Sequence, residues 1–178
     1  HVLAEKPIGM HNNDFDALLA ARNATGLIAA EAYMIVHHPQ WQRTRQLVLD
    51  GAIGKVVHIT GGFSYDNSGD PSNIRNQLEM GGGGLRDIGV YTIGAARYVM
   101  GCDLENISAK IRYENGFDVF ASVQGLLGGA SYSSYVSTRM HPHQEMVFHG
   151  TDGLLRLTAP VNPNVFGEAR VELHQPNL

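Results

Sequence analysis

The sequence is short of cysteine and of charge. Its 178 residues include one cysteine, Cys102, which excludes an internal disulfide and is compatible with a reducing cytoplasm. Charged residues make up 17% of the chain, below the roughly 25% of ordinary soluble domains. The formal net charge is -4, and lysines and arginines form no run. The sequence therefore offers no electrostatic basis for nucleic-acid binding.

Long apolar runs are missing as well. No stretch approaches about 18 uninterrupted apolar residues, so we expect no membrane span. Residues 1–7 lack the basic segment and long apolar run of a signal peptide. A chain of this length can bury one substantial core, or one domain and part of another.

The first 35 residues have the pattern of a strand, a helix and a second strand. His1 to Ala4 is typical of a short buried strand, and its abrupt start indicates a cut end. Candidate caps at Asn12, Asn13 and Asp14 open a helix, and Gly26 supplies a left-handed stop. Leu27 to Ile35 is apolar enough for a second buried strand. This order predicts a βαβ unit with parallel pairing.

The middle of the chain predicts two more helices around one strand. Pro39 favours the start of a helix that ends at Gly51. A strand follows over Lys55 to Tyr65, interrupted by two glycines, and Asp66 to Met80 is polar enough for a surface loop. A glycine run then precedes a third helix over Leu85 to Met100.

The last part of the chain predicts hairpins. Asn115-Gly116 between two apolar runs is the strongest short hairpin signal, and a second hairpin surrounds Gly150 to Gly153. Consecutive hairpins indicate an antiparallel sheet. The predicted strands are Ile107 to Tyr113, Phe117 to Leu127, Ala130 to Thr138, Glu145 to His149, Leu154 to Thr158 and Ala169 to His174. The fold class is therefore α+β: the end of a βαβ domain, then a mainly antiparallel open β-sheet with helices on one face.

Lys6 is the first candidate for chemistry. It follows a predicted parallel strand, and ligand crevices lie at the carboxyl ends of such strands. Pro7 restricts Lys6 to an extended backbone and so fixes the direction of its side chain. A lysine there could polarise a carbonyl or stabilise a phenolate. The alternative is an ordinary surface lysine, which is common in loops.

The second candidate is the segment from Gly81 to Tyr91. Glycines before a helix allow a ligand or another backbone to come close. Asp87 falls in the first turn, and Tyr91 follows four residues later on the same predicted helix face. A carboxylate and a phenol on one face could transfer protons. The alternative is that Asp87 caps the helix and Tyr91 packs.

Five motifs in this order resemble the glucose–fructose oxidoreductase / inositol dehydrogenase (Gfo/Idh/MocA) family, in particular its sugar-dehydrogenase and dihydrodiol-dehydrogenase-like branch. Each motif is weak alone, but their order and spacing from about Val2 to Val161 are specific. They are Glu5-Lys6-Pro7, Glu31-Ala32-Tyr33-Met34, Gly51-x-Ile53-Gly54-Lys55-Val56, Asn73-Ile74-Arg75, and Gly82-Gly83-Gly84-Leu85-x-Asp87-Ile88-Gly89-Val90-Tyr91.

The resemblance implies a division into residues 1–35, the C-terminal remnant of a dinucleotide-binding Rossmann domain, and residues 36–178, a substrate-binding and dimerisation domain. The family's Gly-x-Gly-x-x-Gly loop is absent from the sequence. The run from Gly81 to Gly84 does not replace it, because no Rossmann strand and acidic ribose ligand follow. We therefore expect a chain truncated at both ends, of which the fragment alone is inactive.

The resemblance also implies roles. Lys6, Tyr91 and Asp87 are the expected catalytic residues, with Tyr91 as general acid/base and the ammonium of Lys6 lowering the pKa of its phenol. The resemblance also implies residues that contact the cofactor and residues that contact the substrate. Cofactor contacts are expected at Glu5, Lys6 and Pro7, and substrate contacts at Asn73, Arg75 and Tyr91. The cofactor is NAD or NADP, and the substrate is a sugar, polyol or cyclic diol.

One segment departs from the family pattern. Many relatives carry an arginine where this chain has Val36, and His37 is unusual there, so any substrate contact of that arginine is missing. The histidines invite a metal hypothesis, since His37-His38 and His141-x-His143 are clustered. Adjacent histidines on a strand point to opposite faces, however, and no further ligand motif joins them. We expect no metal.

Two classes of function stay open from the sequence. One is an NAD(P)-dependent dehydrogenase that acts on a sugar-like small molecule in the cytoplasm. The other is a non-catalytic sheet module for ligand binding or subunit association. The run Phe117, Val119, Ala121, Val123 fills a core face. The opposite face, with Asp118, Phe120, Ser122 and Gln124, carries little charge, which favours a homo-oligomer through the β-sheet.

Overall fold

The computed structural model describes residues 1–176, which form two compact units, one of residues 1–34 and one that begins at Ile35. In the first unit, strand β1 (Val2–Glu5) pairs in parallel with β2 (Ala29–Ala32). Helix α1 (Asp14–Thr25) connects them and ends at Gly26, whose φ of 63° is left-handed. The βαβ prediction is thus confirmed for the connectivity and for the parallel pairing.

Two details of the first unit were predicted wrongly. The strands are not buried: Val2 is 63% and Leu3 72% exposed, because two strands and one helix are too little chain to cover both faces of a sheet. The cap is also different. The side chain of Asn13 makes no capping bond, and the carboxylate of Asp14 instead accepts the N–H groups of Met10 and His11.

The second unit is a seven-stranded sheet with helices. Its strand order is β4-β5-β6-β3-β7-β8-β9. Every neighbouring pair is antiparallel except β3 and β6, which run parallel. The strands are β3 (Val56–Asp66), β4 (Leu104–Glu114), β5 (Phe117–Leu127), β6 (Ala130–Ser137), β7 (Arg139–Gly150), β8 (Leu154–Leu157) and β9 (Val171–His174). The mainly antiparallel α+β fold is confirmed.

Three α-helices accompany this sheet among the described residues: α2 (Pro39–Leu49), α3 (Val90–Met100) and the short α4 (Pro163–Phe166). The predicted third helix is not one α-helix, because its first turn, Leu85–Gly89, is a π-helix that continues into α3. The predicted loop contains two short 3₁₀ helices, Ile74–Asn76 and Leu78–Met80.

Local signals in the sequence explain the turns. The predicted hairpin forms between β4 and β5, where Asn115 (φ 51°) and Gly116 (φ 86°) both take the positive φ of a tight two-residue turn. The glycines of β3 do not end the strand. A Cβ at Gly61 would lie 2.5 Å from the sulfur of Met146, so this glycine makes room for a core side chain.

The core lies between the sheet and the helices. Trp41, Ile59, Val119 and Phe148 are fully buried, and the indole N–H of Trp41 donates to the carbonyl of Pro160 at 2.7 Å. Each such side chain contributes roughly 1.5–3 kcal/mol through burial. Strand β5 alternates as predicted with one exception: Asp118, expected on the outer face, is only 9% exposed.

None of the helices in residues 1–176 combines the length and the apolar character needed to cross a membrane.

Candidate active site

Asp87 is the centre of the polar cluster in the second unit. One of its carboxylate oxygens, Oδ2, accepts both the phenolic O–H of Tyr65 at 2.6 Å and the Nε–H of Arg75 at 2.8 Å. The side chain of Asp87 is 15% exposed and that of Arg75 44% exposed. Three separate chain segments therefore meet at one oxygen, and two strong donors fix the orientation of the carboxylate.

Arg75 is held by its own loop. The side-chain oxygen of Asn73 accepts the backbone N–H of Arg75 at 3.1 Å and starts the 3₁₀ turn. Burial lowers the pKa of the Arg75 guanidinium, but the hydrogen bond to Asp87 and the negative charge of that carboxylate outweigh burial, so its pKa is raised. Arg75 therefore stays a cation, and it lies within electrostatic range of Tyr65 and Tyr91.

Tyr65 is a neutral hydrogen-bond donor. Burial raises the pKa of its phenol above the ordinary value of about 10, and the hydrogen bond to Asp87 raises it further. The nearby Arg75 and Arg139 act in the opposite direction but do not compensate. Tyr65 therefore keeps its proton at neutral pH and donates it to the hydrogen bond with Asp87.

Tyr91 lies at the start of α3, half-buried against an apolar cluster. Its ring centroid is 6.2 Å from that of Phe63, and Tyr65 also lies 6.2 Å from Phe63. Phe63, Ile88, Ala121 and Val136 are the buried members of this cluster. Tyr91 thus has the packing role of the alternative interpretation, and it shares the region around Phe63 with the polar cluster of Asp87.

The glycine run is in contact with protein on both sides. The N–H groups of Gly82 and Gly83 donate to the carbonyls of Gln77 and Arg75, at 2.9 and 3.1 Å. A Cβ at Gly82 would lie 2.7 Å from both of these carbonyl oxygens. Of the two predicted reasons for the run, close approach of another backbone is the one seen in the structure.

Lys6 belongs to the first unit. It directly follows β1, at the carboxyl end of a parallel strand as predicted, and is half-buried, whereas Glu5 and Pro7 are exposed. The Lys6–Pro7 peptide bond is cis. The structure thus brings Asn73, Arg75, Asp87 and Tyr91 together in the second unit, and Lys6 has the predicted place in the first.

Sequence reasoning missed Tyr65. A period of two along β3 from the buried Phe63 would have placed Tyr65 on the core side of the sheet. The hydrogen bond to Asp87 leaves no such signal, because the two residues lie 22 positions apart on different elements.

His38 and His58 have structural partners. Nδ1 of His38 accepts the N–H of Gln40 at 3.3 Å and so caps α2, and the ring of His58 contacts the hydroxyl of Ser131 at 2.5 Å. Over the described part of the chain, no group of three or more histidine, cysteine, aspartate or glutamate residues is arranged to hold a metal ion.

The second unit matches a known protein family. Residues 41–156 match the family description GFO/IDH/MocA C-terminal domain. The chain belongs to this family, which confirms the resemblance found in its motifs.

Similar proteins include reductases and dehydrogenases. A dTDP-3,4-didehydro-2,6-dideoxy-alpha-D-glucose 3-reductase from Actinomadura kijaniata is 37% identical over 127 residues, which cover 71% of this chain and 38% of the relative. A trans-1,2-dihydrobenzene-1,2-diol dehydrogenase from Mus musculus is 30% identical over 185 residues, 99% of this chain and 54% of the relative.

Among solved structures, a 3-ketoreductase from Actinomadura kijaniata in complex with TDP-benzene and NADP superposes with a TM-score of 0.88 at 28% identity, covering 98% of this chain and 55% of that one. The chain spans about half the length of the curated relatives that it matches along most of its own length.

Proposed function

We propose that the protein containing this chain is an NAD(P)-dependent oxidoreductase that interconverts a hydroxyl and a carbonyl group of a sugar, polyol or cyclic diol. The main support for the proposal is the Asp87 carboxylate, which two hydrogen bonds hold in place and which has Arg75 and Tyr91 in the same region. The chain also belongs to the Gfo/Idh/MocA family. The relatives named above are reductases and dehydrogenases, which supports the reaction type.

The first unit supplies the residues that fit a nicotinamide cofactor. Lys6 is half-buried at the carboxyl end of a parallel strand, where ligands of α/β sheets bind. Glu5, Lys6 and Pro7 would contact the nicotinamide end, and the cofactor would accept or donate the hydride. The Actinomadura ketoreductase structure holds NADP. For this chain NAD and NADP are both proposed, because the residues that distinguish them at the ribose 2′ position belong to a segment that is not in its sequence.

The second unit supplies the groups for the substrate. Tyr91 would accept the hydroxyl proton in oxidation and return it in reduction. A free phenol with a pKa near 10 is a poor base, so a cation such as the Lys6 ammonium is assigned to favour the phenolate. Asp87 and Arg75 would bind substrate hydroxyls, because both present charged groups at partly exposed positions. Asn73 would act by holding the turn of Arg75.

Solved variants of the Actinomadura ketoreductase support the choice of this pair. One tyrosine of that protein was changed to phenylalanine, and one lysine was changed to alanine or glutamate. The separation of those two positions along that chain differs by one residue from the separation of Lys6 and Tyr91 in this chain.

The test is Tyr91→Phe in the full-length protein. Turnover with a nicotinamide dinucleotide and a panel of aldoses, nucleotide-linked keto sugars and cyclic diols should fall about 10²–10⁴-fold. KM should change little, since the ring and its packing stay. Tyr113→Phe is the matched control, because Tyr113 is 60% exposed on β4. Full turnover in Tyr91→Phe would show that the tyrosine only packs.

We further propose that the cytoplasmic protein is a homo-oligomer associated through the outer face of the sheet. That face carries a shallow cavity of about 540 Å³ lined by Phe120, Ser122, Tyr135, Met140 and other residues of mixed character. Such a face, with aromatic side chains and little charge, favours burial against a second copy. Light scattering that gives a monomer at high protein concentration would exclude this assembly, and Phe120→Glu should shift the equilibrium toward monomer.

A further inference from the structure

Asp118 is a buried carboxylate that the proposed chemistry does not use. It lies at the start of β5 and is 9% exposed, although carboxylates are rarely buried without a partner. Its Oδ2 accepts the backbone N–H of Leu85 at 2.7 Å. Leu85 is the first residue of the π-helix that carries Asp87 and leads into the helix of Tyr91. Asp118 is thus joined directly to the start of the segment that carries both groups.

The glycine run is built around this carboxylate. A Cβ at Gly83 would lie 2.2 Å from Oδ1 of Asp118, and a Cβ at Gly84 would lie 3.3 Å from Oδ2. Gly83 also has a φ of 128°, which favours glycine. The backbone at Gly83 therefore passes the carboxylate at a distance that a side chain there would prevent, whereas a side chain at Gly84 would make only a tight contact.

The opposite side of the same backbone contacts the loop of Arg75. The N–H of Gly83 donates to the carbonyl of Arg75, and the N–H of Gly82 donates to that of Gln77. The glycine run is therefore held between Asp118 on β5 and the loop that presents Arg75. Asp87 is bonded to Arg75 at the far end of this arrangement, 2.8 Å from its Nε.

We propose that Asp118 is a positioning residue for the active site: by binding Leu85 against the glycine run, it sets the placement of Asp87 and Tyr91 relative to Arg75. The proposal rests on the function given above, and it concerns how the site is assembled. The proposal assigns Asp118 no contact with substrate or cofactor. A displacement of about 1 Å in a catalytic group can lower turnover about 100-fold, so a single hydrogen bond at Leu85 can matter for the rate.

The experiment compares three variants of the full-length protein. Asp118→Ala removes the acceptor, Asp118→Asn keeps an amide oxygen that can accept the Leu85 N–H, and Thr44→Ala is the control. Thr44 is fully buried in α2 and donates to the carbonyl of Gln40 at 2.8 Å, so its loss also removes one buried hydrogen bond. Turnover, KM and dinucleotide affinity are measured well below the unfolding temperature of every variant.

Asp118→Ala should lower kcat about 100-fold at unchanged dinucleotide affinity, and Asp118→Asn should recover most of that loss. Thr44→Ala should keep the wild-type kcat. A purely structural Asp118 would behave like Thr44, and equal kcat values in the two alanine variants would overturn the proposal. If Asp118→Ala does not fold, Asp118→Ser takes its place, because its shorter side chain puts no oxygen at the Oδ2 position that accepts the Leu85 N–H but leaves less empty space. A kcat of Asp118→Ser equal to that of Thr44→Ala would then overturn the proposal.

Amide hydrogen exchange separates this proposal from the proposed function. The amides of residues 83–91 should exchange faster in Asp118→Ala than in wild type, and at the wild-type rate in Thr44→Ala. If the wild-type protein shows no dinucleotide-dependent turnover, the proposed function fails, and exchange alone decides whether Asp118 holds this segment. If the amides of residues 83–91 exchange at the wild-type rate in Asp118→Ala, the proposal is overturned, whether or not the wild-type protein shows turnover. If the wild-type protein is active, the proposal is also overturned when these amides exchange faster in Asp118→Ala but its kcat equals that of wild type.

Discussion

The phenol of Tyr65 donates to the Oδ2 carboxylate oxygen of Asp87 at 2.6 Å, which joins strand β3 to the π-helix in front of α3. Arg75 donates to the same oxygen from the loop between them. Since Asp87 is mostly buried, water can replace neither donor at low cost. The contribution of the Tyr65–Asp87 hydrogen bond can therefore be measured as a change in the free energy of unfolding, without a substrate.

Tyr65→Phe should destabilise the chain by about 1.5–3 kcal/mol, the range for hydrogen bonds to charged groups. The ring packing against Phe63 is kept, so the loss reports the hydroxyl alone. Urea unfolding followed by circular dichroism measures the change. Tyr113→Phe is the control, because that exposed tyrosine should change the free energy of unfolding little. Equal stability of the two variants would show that the Tyr65–Asp87 bond contributes nothing net.

Alkaline pH should weaken the fold through the same residue. The pKa of Tyr65 is raised in the folded chain by burial first and by Asp87 second, so the unfolded chain loses this proton at a lower pH. The contribution of Tyr65 to the free energy of unfolding is therefore fully present below about pH 10, the pKa of an unfolded tyrosine. It declines as the pH rises from there toward the pKa of Tyr65 in the folded chain.

In Tyr65→Phe the free energy of unfolding should decline less steeply with rising pH than in wild type. Burial raises the pKa values of Tyr132 and Tyr135 as well, so a smaller decline should persist in the variant. Unfolding curves between about pH 8 and 11 test it. A pH dependence identical to that of wild type would mean that Tyr65 ionises as easily in the folded chain as in the unfolded one.

The fold was predictable where local chemistry determines it. Asn115-Gly116 predicted a hairpin from two residues with positive φ, and Gly26 predicted the end of α1. The parallel pairing of β3 with β6 was not predicted. The two strands are separated by two 3₁₀ helices, the π-helix with α3, and a hairpin, so no neighbouring residues encode the contact. The π-turn at Leu85–Gly89 leaves no signal in the apolar period either.

The site was predictable only in part for a similar reason. Asp87 was a candidate from its place in the first turn of the predicted helix, and Arg75 was one through the family motifs, but their ion pair was not foreseen. The exposed-face position expected for Asp118 was wrong, because strand alternation predicts burial from apolar character and cannot recognise a carboxylate that is satisfied by a backbone N–H. Hydrogen bonds and ion pairs between residues far apart in the sequence can be recognised only in a three-dimensional structure.

Lys6 and Tyr91 should act as one unit in the full-length enzyme. Lys6→Ala should lower turnover at least as much as Tyr91→Phe, because in the proposed function the Lys6 ammonium is the charge assigned to favour the phenolate. The double variant should then be little worse than either single variant. The basic limb of the pH–rate profile should also disappear in Tyr91→Phe. Additive losses in the double variant would assign the two residues to independent roles and move the base to another group.

Gly83→Ala should destabilise the chain for two separable reasons. The φ of 128° strains any residue with a Cβ by about 1–3 kcal/mol. The added methyl group would also meet Oδ1 of Asp118 at 2.2 Å. Gly69→Ala is the control, since a Cβ there meets nothing within 4 Å and its φ is not positive. Urea unfolding should show a large loss for Gly83→Ala and a small change for Gly69→Ala.

A double-mutant cycle separates the two causes of the Gly83→Ala loss. In an Asp118→Ala background the steric conflict is gone, so Gly83→Ala should cost less there than in wild type, by an amount that measures the conflict. The backbone strain should remain, and the cost should not fall to that of Gly69→Ala. If Gly83→Ala lowers the free energy of unfolding equally in both backgrounds, the Asp118 carboxylate can move away from the added methyl group at no cost. The glycine is then required by its φ alone.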